Sequence, residues 1–371
     1  MDDSKLAEFM ICRTGIFNIC IISPSLKMGG IERALSILAD YFINKGHRVS
    51  FISCLSAEKF YELNSNVKFI EPVFKRTNNK INKIIYYPRM TFWLRKEVVA
   101  IDPDVVLSFG DWFNPLVLLA LKGTKYPVFI SDRTSPDYPF SAMINIMKKL
   151  FYPGSAGFIA QTKRAADYKR QHFGNKLNIK IIPNAVKTII RYDIPRKKQI
   201  VYIGRLSYEK GPDRLLEVFF KIKDKKGWNL VLAGNGPMMK QLISQAEEFG
   251  SDDSISFLGQ IKDVDRLLAE SSIFVMPSRL EGFPNALCEA MGAGLVSICF
   301  DCIPSGDIIT NNVDGFIVPD GDTSAMAELI TILINDEQLR NKISEKAMDI
   351  NENFSLKKIG NAYLDFMFKS I

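Results

Sequence analysis

Two glutamates eight positions apart, Glu281 and Glu289, frame the stretch Ser278-Arg279-Leu280-Glu281-Gly282-Phe283-Pro284-Asn285-Ala286-Leu287-Cys288-Glu289. Pro284 and Asn285 suit the start of a helix that follows a short apolar strand. Gly282 lets the backbone approach a ligand closely, and the free N–H groups near Phe283, Asn285 and Ala286 would face it. Glu289 falls about one turn into that helix. A carboxylate there can accept from both hydroxyls of a ribose, while Glu281 on the loop can take the hydroxyls of a sugar. Upstream, Gly204-Arg205-Leu206 follows another strand, and Lys210-Gly211 comes shortly after. A guanidinium and an ammonium at a strand's end can clamp a diphosphate and stabilise its charge as it departs. Gly29-Gly30 lies between a strand and a helix, where bare N–H groups and the helix dipole favour an anion. Set against this phosphate-and-sugar constellation is a plainer reading: solvated bases in loops and ordinary helix-surface acids.

Other chemistries are poorly represented. There is no G-x-x-x-x-G-K-S/T phosphate loop and no G-x-G-x-x-G after the first strand, which disfavours a standard dinucleotide site. His47 and His172 are the only histidines, too few for a His-rich metal site. Cys299 and Cys302 form a C-x-x-C with no second pair nearby, so packing is the expected role. Asp102-Pro-Asp104 and Asp320-Gly321-Asp322 read as turn chemistry rather than metal ligands. No metal and no cofactor is expected.

The elements that must hold these residues alternate as βα units around parallel sheets. Expected strands in the first half are Phe17–Pro24, Val49–Cys54, Val105–Phe109, Val128–Ser131 and Phe158–Gln161, with a helix over Ile31–Lys45. In the second half they are Ile200–Ile203, Leu230–Ala233, Ile255–Leu258, Ile273–Met276, Val296–Phe300 and Phe316–Val318. The basic stretch Lys187–Gln199, with Pro195, reads as a linker, and Ser355–Ile371 reads as one helix after two helices at about 323–350. The expected fold is α/β: two doubly wound domains, residues 1–190 and 197–354, facing across a cleft, with helix 355–371 packing back on the first. Ligands in such sheets sit beyond the carboxyl ends of the strands.

The chain has 371 residues and a net charge of +7, unevenly placed. Residues 1–196 hold 29 Lys and Arg against 16 Asp and Glu, whereas residues 197–371 hold 19 against 25. The first half is therefore expected to meet something anionic. Between Glu71 and Glu97 seven bases (75, 76, 80, 83, 89, 95, 96) occur with Tyr86, Tyr87, Phe92 and Trp93 and no acid. A second acid-free stretch, Tyr138–Ala166, carries Lys148, Lys149, Lys163 and Arg164 beside Phe140, Met143, Ile146, Met147, Leu150 and Phe151. Both suit a surface resting on anionic lipid, or helices packed in the core with their bases solvated. No apolar run reaches the length of a membrane span, and Asp2 and Asp3 stand where a signal peptide needs positive charge. Six cysteines are too few for a disulfide framework, so a reduced cytoplasmic protein is expected.

The segment Glu281-Gly-Phe-Pro-Asn-Ala-Leu-Cys-Glu289 resembles the E-x7-E signature of retaining family 4 glycosyltransferases, which have the two-domain GT-B fold. Similar segments are Gly29-Gly30-Ile31-Glu32-Arg33, Ile182-Pro183-Asn184, Gly204-Arg205-Leu206 with Lys210-Gly211, Gly234-Asn235-Gly236-Pro237 and Asp314-Gly315-Phe316-Ile317-Val318-Pro319. The resemblance implies transfer of a hexose or N-acetylhexosamine from a UDP-sugar to an acceptor hydroxyl, with retention and without metal. Arg205 and Lys210 would stabilise the leaving diphosphate and Glu281 would position the sugar. Gly29, Gly30, Phe283, Pro284, Asn285, Ala286 and Glu289 would bind the donor. Within the family the chain is most similar to enzymes that build bacterial polysaccharides or lipid-linked oligosaccharides, which implies a lipid-linked or glycan acceptor and a peripheral position on the inner face of the cytoplasmic membrane. Ser131-Asp132-Arg133-Thr134 is similar to a family segment that often carries histidine. Arg133 could replace it at the donor sugar, bind acceptor phosphate, or do neither. A nucleotide-sugar epimerase of the same fold, a non-catalytic sugar-nucleotide-binding protein and a nucleic-acid-binding protein are the alternatives.

Overall fold

Each half of the chain opens on an apolar strand that ends near the middle of a parallel sheet. The computed structural model describes residues 15–27, 29–55, 59–74, 80–187, 189–190, 192–250, 254–302 and 305–369, with the backbone alone over 80–84. In the first half the strands are β1 (Asn18–Ser23), β2 (Arg48–Ser53), β3 (Lys68–Ile70), β4 (Val105–Phe109), β5 (Val128–Ser131), β6 (Gly157–Ala160) and β7 (Ile179–Ile181). They lie in the order β3-β2-β1-β4-β5-β6-β7, all parallel. The crossovers are α1 (Gly30–Asn44), α2 (Lys80–Ile101), α3 (Asn114–Leu121), α4 (Ala142–Phe151) and α5 (Lys163–Phe173). On one face Ile19 pairs with Val49 and Val105, and Ile21 with Phe51 and Leu107, while buried Cys20, Ile22, Ile52 and Val106 make the other face of the central strands apolar too. All of these side chains are buried.

The second sheet contains β8 (Gln199–Ile203), β9 (Asn229–Ala233), β10 (Ile255–Gly259), β11 (Ile273–Met276), β12 (Val296–Phe300) and β13 (Phe316–Val318), in the order β10-β9-β8-β11-β12-β13. Its helices are α6 (Pro212–Lys221), α7 (Met239–Glu248), α8 (Val264–Glu270) and α9 (Asn285–Gly292), followed by α10 (Thr323–Asn335), α11 (Glu337–Ala347) and α12 (Ile350–Asn353). In both sheets the chain winds outward to one edge and then returns past its first strand. The switch points therefore fall between β1 and β4 and between β8 and β11, where ligand sites form.

The last helix, α13 (Leu356–Lys369), leaves the second half and packs on the first. Ala347 and Ile350 belong to the second core, whereas Ile359, Tyr363, Phe366 and Met367 belong to the first. Tyr41 of α1 donates its hydroxyl to Asn361 Oδ1 at 2.6 Å, and Phe366 meets Phe129 edge-on with ring centroids 5.3 Å apart. This is the two-domain architecture expected, with the C-terminal helix crossing back.

The expected strands are present to within one or two residues. The sequence reading missed β3 and β7, three-residue edge strands that carry exposed lysines and no continuous apolar run. Among the described residues no strand or helix occurs between Ile181 and Gln199. That linker is nonetheless tied down: Lys187 pairs with Asp265 at 2.5 Å and Tyr192 donates to Asp263 at 2.8 Å. Cys299 and Cys302 are buried free thiols, and burial pushes Cys302 up to about 12.

Two expectations about the basic half need correction. Tyr86 is buried among Met90, Leu94 and Val98, and Trp93 packs on Phe74, so only Phe92 of those four aromatics stands fully in solvent, at 81 %. Lys148 is buried too and faces inward. Lys75 and Arg76, like Asp2 and Asp3, lie outside the described residues, as do the side chains of Lys80 and Lys83.

Candidate functional site

Glu281 sits on the loop after β11, and its carboxylate accepts from Lys210 Nζ at 2.7 Å and Ser278 Oγ at 2.9 Å. Lys210 reaches it because Gly211, at φ +64°, turns the chain tightly against Pro277: a Cβ on Gly211 would lie 2.2 Å from the Pro277 carbonyl oxygen. Only glycine fits there. The two loops are stitched further by Arg279, which forks onto Asp213 at 2.8 and 2.6 Å and lies over the Tyr208 ring. Arg205, by contrast, extends into solvent, 70 % exposed, with Glu209 at 3.9 Å as its loose partner. Of the two expected diphosphate clamps, Lys210 is held by a carboxylate and Arg205 is the more exposed.

Glu289 lies in α9, as expected, with an unforeseen partner. Arg33, in the first turn of α1, crosses from the first half and meets it at 2.6 Å. The same turn brings Gly30 to α9: a Cβ there would stand 3.5 Å from Asn285 Nδ2. Two helix N-termini thus face each other across the cleft, and their dipoles together favour an anion between them. Beside them, burial raises the pKa of Glu32, which accepts from Ser25 Oγ at 3.0 Å.

The helix start itself differs from expectation. The Asn285 N–H is donated to the Phe283 carbonyl at 3.0 Å. The Phe283 and Ala286 N–H groups make no hydrogen bond among the described residues, and they remain available. Pro284 is the N-cap residue of α9, and the Phe283 ring packs against Phe354. Gly282 is needed for a reason other than a ligand. A Cβ there would lie 2.4 Å from the Arg133 carbonyl oxygen, so the first half's own backbone approaches it.

Arg133 is tied into the fold by its guanidinium. Its guanidinium donates to Asn184 Oδ1 at 2.5 Å and to the Tyr363 hydroxyl at 2.7 Å, and lies 3.5 Å from the Phe109 ring centroid. Asn184 in turn donates to Asn285 Oδ1 at 2.9 Å. This line of polar contacts joins α13, the β5 loop, the start of the linker and α9. A second strut is the Lys163 N–H, which donates to Asp307 across the cleft at 2.5 Å.

Sequence reasoning missed a buried ionic network at the ends of β4 and β5. Asp132 accepts from Lys169 at 2.5 Å, Lys148 at 3.1 Å and the Tyr152 hydroxyl at 2.5 Å. Asp111 accepts from Lys148 at 3.0 Å and from the Arg133 and Thr134 N–H groups at 2.8 and 3.0 Å. Burial alone would raise Asp132, yet the Lys169 and Lys148 charges hold it well below the usual carboxylate range. Burial and the neighbouring Asp132 charge raise Asp111. An aspartate within two residues of the end of each of two adjacent strands was the signal available. Above this network opens a cavity of about 580 Å³ that extends to Gly282.

The paired aspartates have ordinary partners. Asp320 holds Arg214 at 2.7 Å, Asp322 caps α10, and Asp102 meets Lys125. Among the described residues, no group of three or more His, Cys, Asp or Glu could hold a metal ion.

Two doubly wound parallel sheets with facing strand ends define the GT-B architecture. The model of glycosyltransferase family 4 matches residues 28–189 and that of glycosyl transferases group 1 matches residues 190–349. The chain belongs to the family 4 glycosyltransferases. It is 26 % identical over 355 residues to a Campylobacter jejuni enzyme, GalNAc-alpha-(1->4)-GalNAc-alpha-(1->3)-diNAcBac-PP-undecaprenol alpha-1,4-N-acetyl-D-galactosaminyltransferase, covering 94 % of this chain and 98 % of that one. It is 24 % identical to the amylovoran biosynthesis glycosyltransferase AmsD of Erwinia amylovora, covering 94 % and 99 %. Among solved structures it is similar to Anabaena Alr3699/HepE in complex with UDP, with a TM-score of 0.75 and 16 % identity, covering 94 % and 98 %. Sucrose-phosphate synthase from Thermosynechococcus elongatus gives a TM-score of 0.81 at 15 % identity, covering 94 % and 98 %.

Proposed function

We propose that this protein moves a hexosyl or N-acetylhexosaminyl group from a UDP-sugar to a hydroxyl of a lipid-linked glycan in bacterial surface-glycan synthesis, retaining the anomeric configuration. The observation that carries the reading is the pair of cleft carboxylates, Glu281 on Lys210 and Glu289 on Arg33, beside the facing helix N-termini. Glu289 takes the ribose hydroxyls, Glu281 positions the donor sugar, and Arg205, Lys210 and the nearby amides hold the diphosphate. The bond from the anomeric carbon to the phosphate oxygen breaks, and the acceptor oxygen bonds to that carbon on the same face. The acceptor proton passes to the departing phosphate oxygen, so no side-chain base is required. With two cations and two helix termini on the diphosphate, the reaction proceeds without a divalent metal. The UDP named in one structural relative and the undecaprenol diphosphate named in one sequence relative support the donor and acceptor classes.

The test is a panel of nucleotide sugars. A UDP-sugar should raise the melting temperature and undergo slow hydrolysis that survives a chelator, and Glu289→Ala should shrink the shift. An equal shift in that variant removes Glu289 from the site, and loss of turnover on chelation removes the metal-free mechanism.

The first half rests peripherally on an anionic membrane in this reading. No helix among the described residues is long and apolar enough to cross one. Helix α4 is turned inside out: Lys148 faces the interior, while Met143 and Leu150, 72 % and 68 % exposed, face solvent with Ile146 and Lys149. Phe92 and Ile85 project from α2 with Arg89 and Lys96 exposed nearby. Binding to anionic liposomes should weaken as salt rises. Met143→Glu with Leu150→Glu should abolish it, and wild-type protein that ignores such liposomes at low salt sinks the membrane assignment.

A further inference from the structure

Asn184 stands where the first half gives way to the linker, and its amide is hydrogen-bonded on both sides. It is 7 % exposed and lies three residues after β7. On one side is Arg133, whose guanidinium is fixed on the Tyr363 hydroxyl and over the Phe109 ring. A guanidinium has N–H groups and no acceptor, so from 2.5 Å it can face only the Asn184 oxygen. That leaves Asn184 Nδ2 to point across the cleft, where it donates to Asn285 Oδ1 at 2.9 Å. Asn285 in turn gives its oxygen to Asn184 and must turn its own Nδ2 elsewhere. The direction is the start of α1: a Cβ on Gly30 would stand 3.5 Å from that nitrogen, which donates to nothing among the described residues. The main-chain N–H of Asn285 is already taken by the Phe283 carbonyl, so the side-chain amide is the donor this residue has free. Each amide is thus oriented by the group before it, beginning at a cation that cannot reverse. Turning Asn184 over would set donor against donor and acceptor against acceptor.

We propose that Arg133 and Asn184 are positioning residues that hold the Asn285 side-chain N–H2 toward the α1 turn, where it donates to the diphosphate of the nucleotide. The proposal rests on the UDP-donor reading and deepens it: first-half residues that touch no ligand set the polarity of a second-half amide that does. It also accounts for an amide at position 184. A carboxylate there would suit the guanidinium better, but it would demand the opposite face of Asn285.

Asn184→Asp is the decisive variant, because stability and binding should move in opposite directions. The new carboxylate gives Arg133 a charged partner, so the unliganded variant should melt no lower than wild type. Toward Asn285 it can only accept, so Asn285 turns its Nδ2 back and its oxygen to the anion. In calorimetry UDP should bind about ten- to hundredfold more weakly, the ratio that corresponds to one hydrogen bond to a charged group, while uridine changes by less than about twofold. Asn285→Ala removes the same donor without adding charge and without touching Asn184. It should weaken UDP selectively as well, whether or not Asn184→Asp folds. In the Asn285→Ala background, Asn184→Asp should then have little further effect on UDP. A purely structural Asn184 would change the melting temperature and leave the ratio of UDP to uridine affinity unmoved, and that result overturns the proposal. An equal loss of UDP affinity in both backgrounds overturns it too, since the new charge would then act through space rather than through Asn285. UDP binding that ignores both substitutions removes the relay and leaves the donor reading standing. If the wild-type protein binds neither UDP nor uridine, the donor reading itself falls, and the relay with it.

Discussion

The ends of β4 and β5 and the loops after β8 and β11 use the same ingredients, lysine or arginine against aspartate or glutamate, to opposite effect. At β4 and β5 each carboxylate has several partners, and Lys148, Lys169, Asp111 and Asp132 are all nearly out of solvent. In the cleft Lys210 and Arg33 each hold one carboxylate and keep about a third of their side chains exposed, and Arg205 is more open still. Burial decides the difference. A buried network cannot exchange partners without stranding a charge, whereas a half-open pair can trade its partner for a ligand of the same charge or hydrogen-bonding pattern. One cluster sets a loop; the other is the proposed site.

The largest expected contrast is in stability. Asp132→Asn takes the carboxylate from buried Lys169 and one of the two on Lys148, and should cost about 3–5 kcal/mol in urea unfolding at neutral pH. Arg205→Ala, at an exposed position, should stay within about 0.5 kcal/mol. Acid sharpens the comparison. Because Asp132 is depressed in the folded protein, its stabilisation is present above its unfolded value, near 3.9, and is lost as pH falls toward the lower folded value. Asp111, raised by burial, works in the other direction, and its contribution declines as pH rises through its folded value. The gap between wild type and Asp132→Asn should therefore narrow below about pH 4. A constant gap would mean that Asp132 acts by shape rather than charge.

In turnover the ranking reverses. Arg205→Ala and Lys210→Ala should each lower kcat by about 10²–10³, with a smaller change in donor affinity, since charge on the leaving phosphate grows toward the transition state. A pure loss of affinity would reduce the pair to donor binding.

The two regions also differ in how far the sequence announces them. The cleft carboxylates and bases lie in short segments, with Glu281 and Glu289 eight positions apart and Arg205 and Lys210 flanking one turn, so the resemblance to a family signature brings them forward, although not the distant Arg33 that pairs with Glu289. The buried network joins residues from β4, β5, α4 and α5, whose lysines look from the sequence like a solvated face. Lys148 misled because it occupies the inward side of a helix whose apolar residues point out. The edge strands β3 and β7 escaped for a related reason, since their positions are filled by pairing to a neighbour rather than by an apolar pattern. Arg133 next to Asp132 was legible as a charged loop residue. Its partners, Asn184 and Tyr363, are 51 and 230 residues away, beyond any local pattern.

The smallest effect is the most specific test of exchangeability. Arg33 occupies Glu289, the carboxylate proposed to take the ribose. A nucleoside must compete with that ion pair, which for a part-exposed pair contributes about 0.2–1 kcal/mol. Arg33→Ala should then bind uridine somewhat more tightly, by about 1.5- to fivefold in calorimetry, the same energy written as a ratio. UDP should not share the gain. Displaced from Glu289, Arg33 lies in the first turn of α1 beside the anion-favouring helix ends, and its removal takes a cation from the diphosphate's surroundings. The ratio of UDP to uridine affinity should accordingly fall in Arg33→Ala. If uridine binds no better, the cleft pair is not in competition with the ribose, and the first-half arginine is a fixed strut like Arg133 rather than an exchangeable partner.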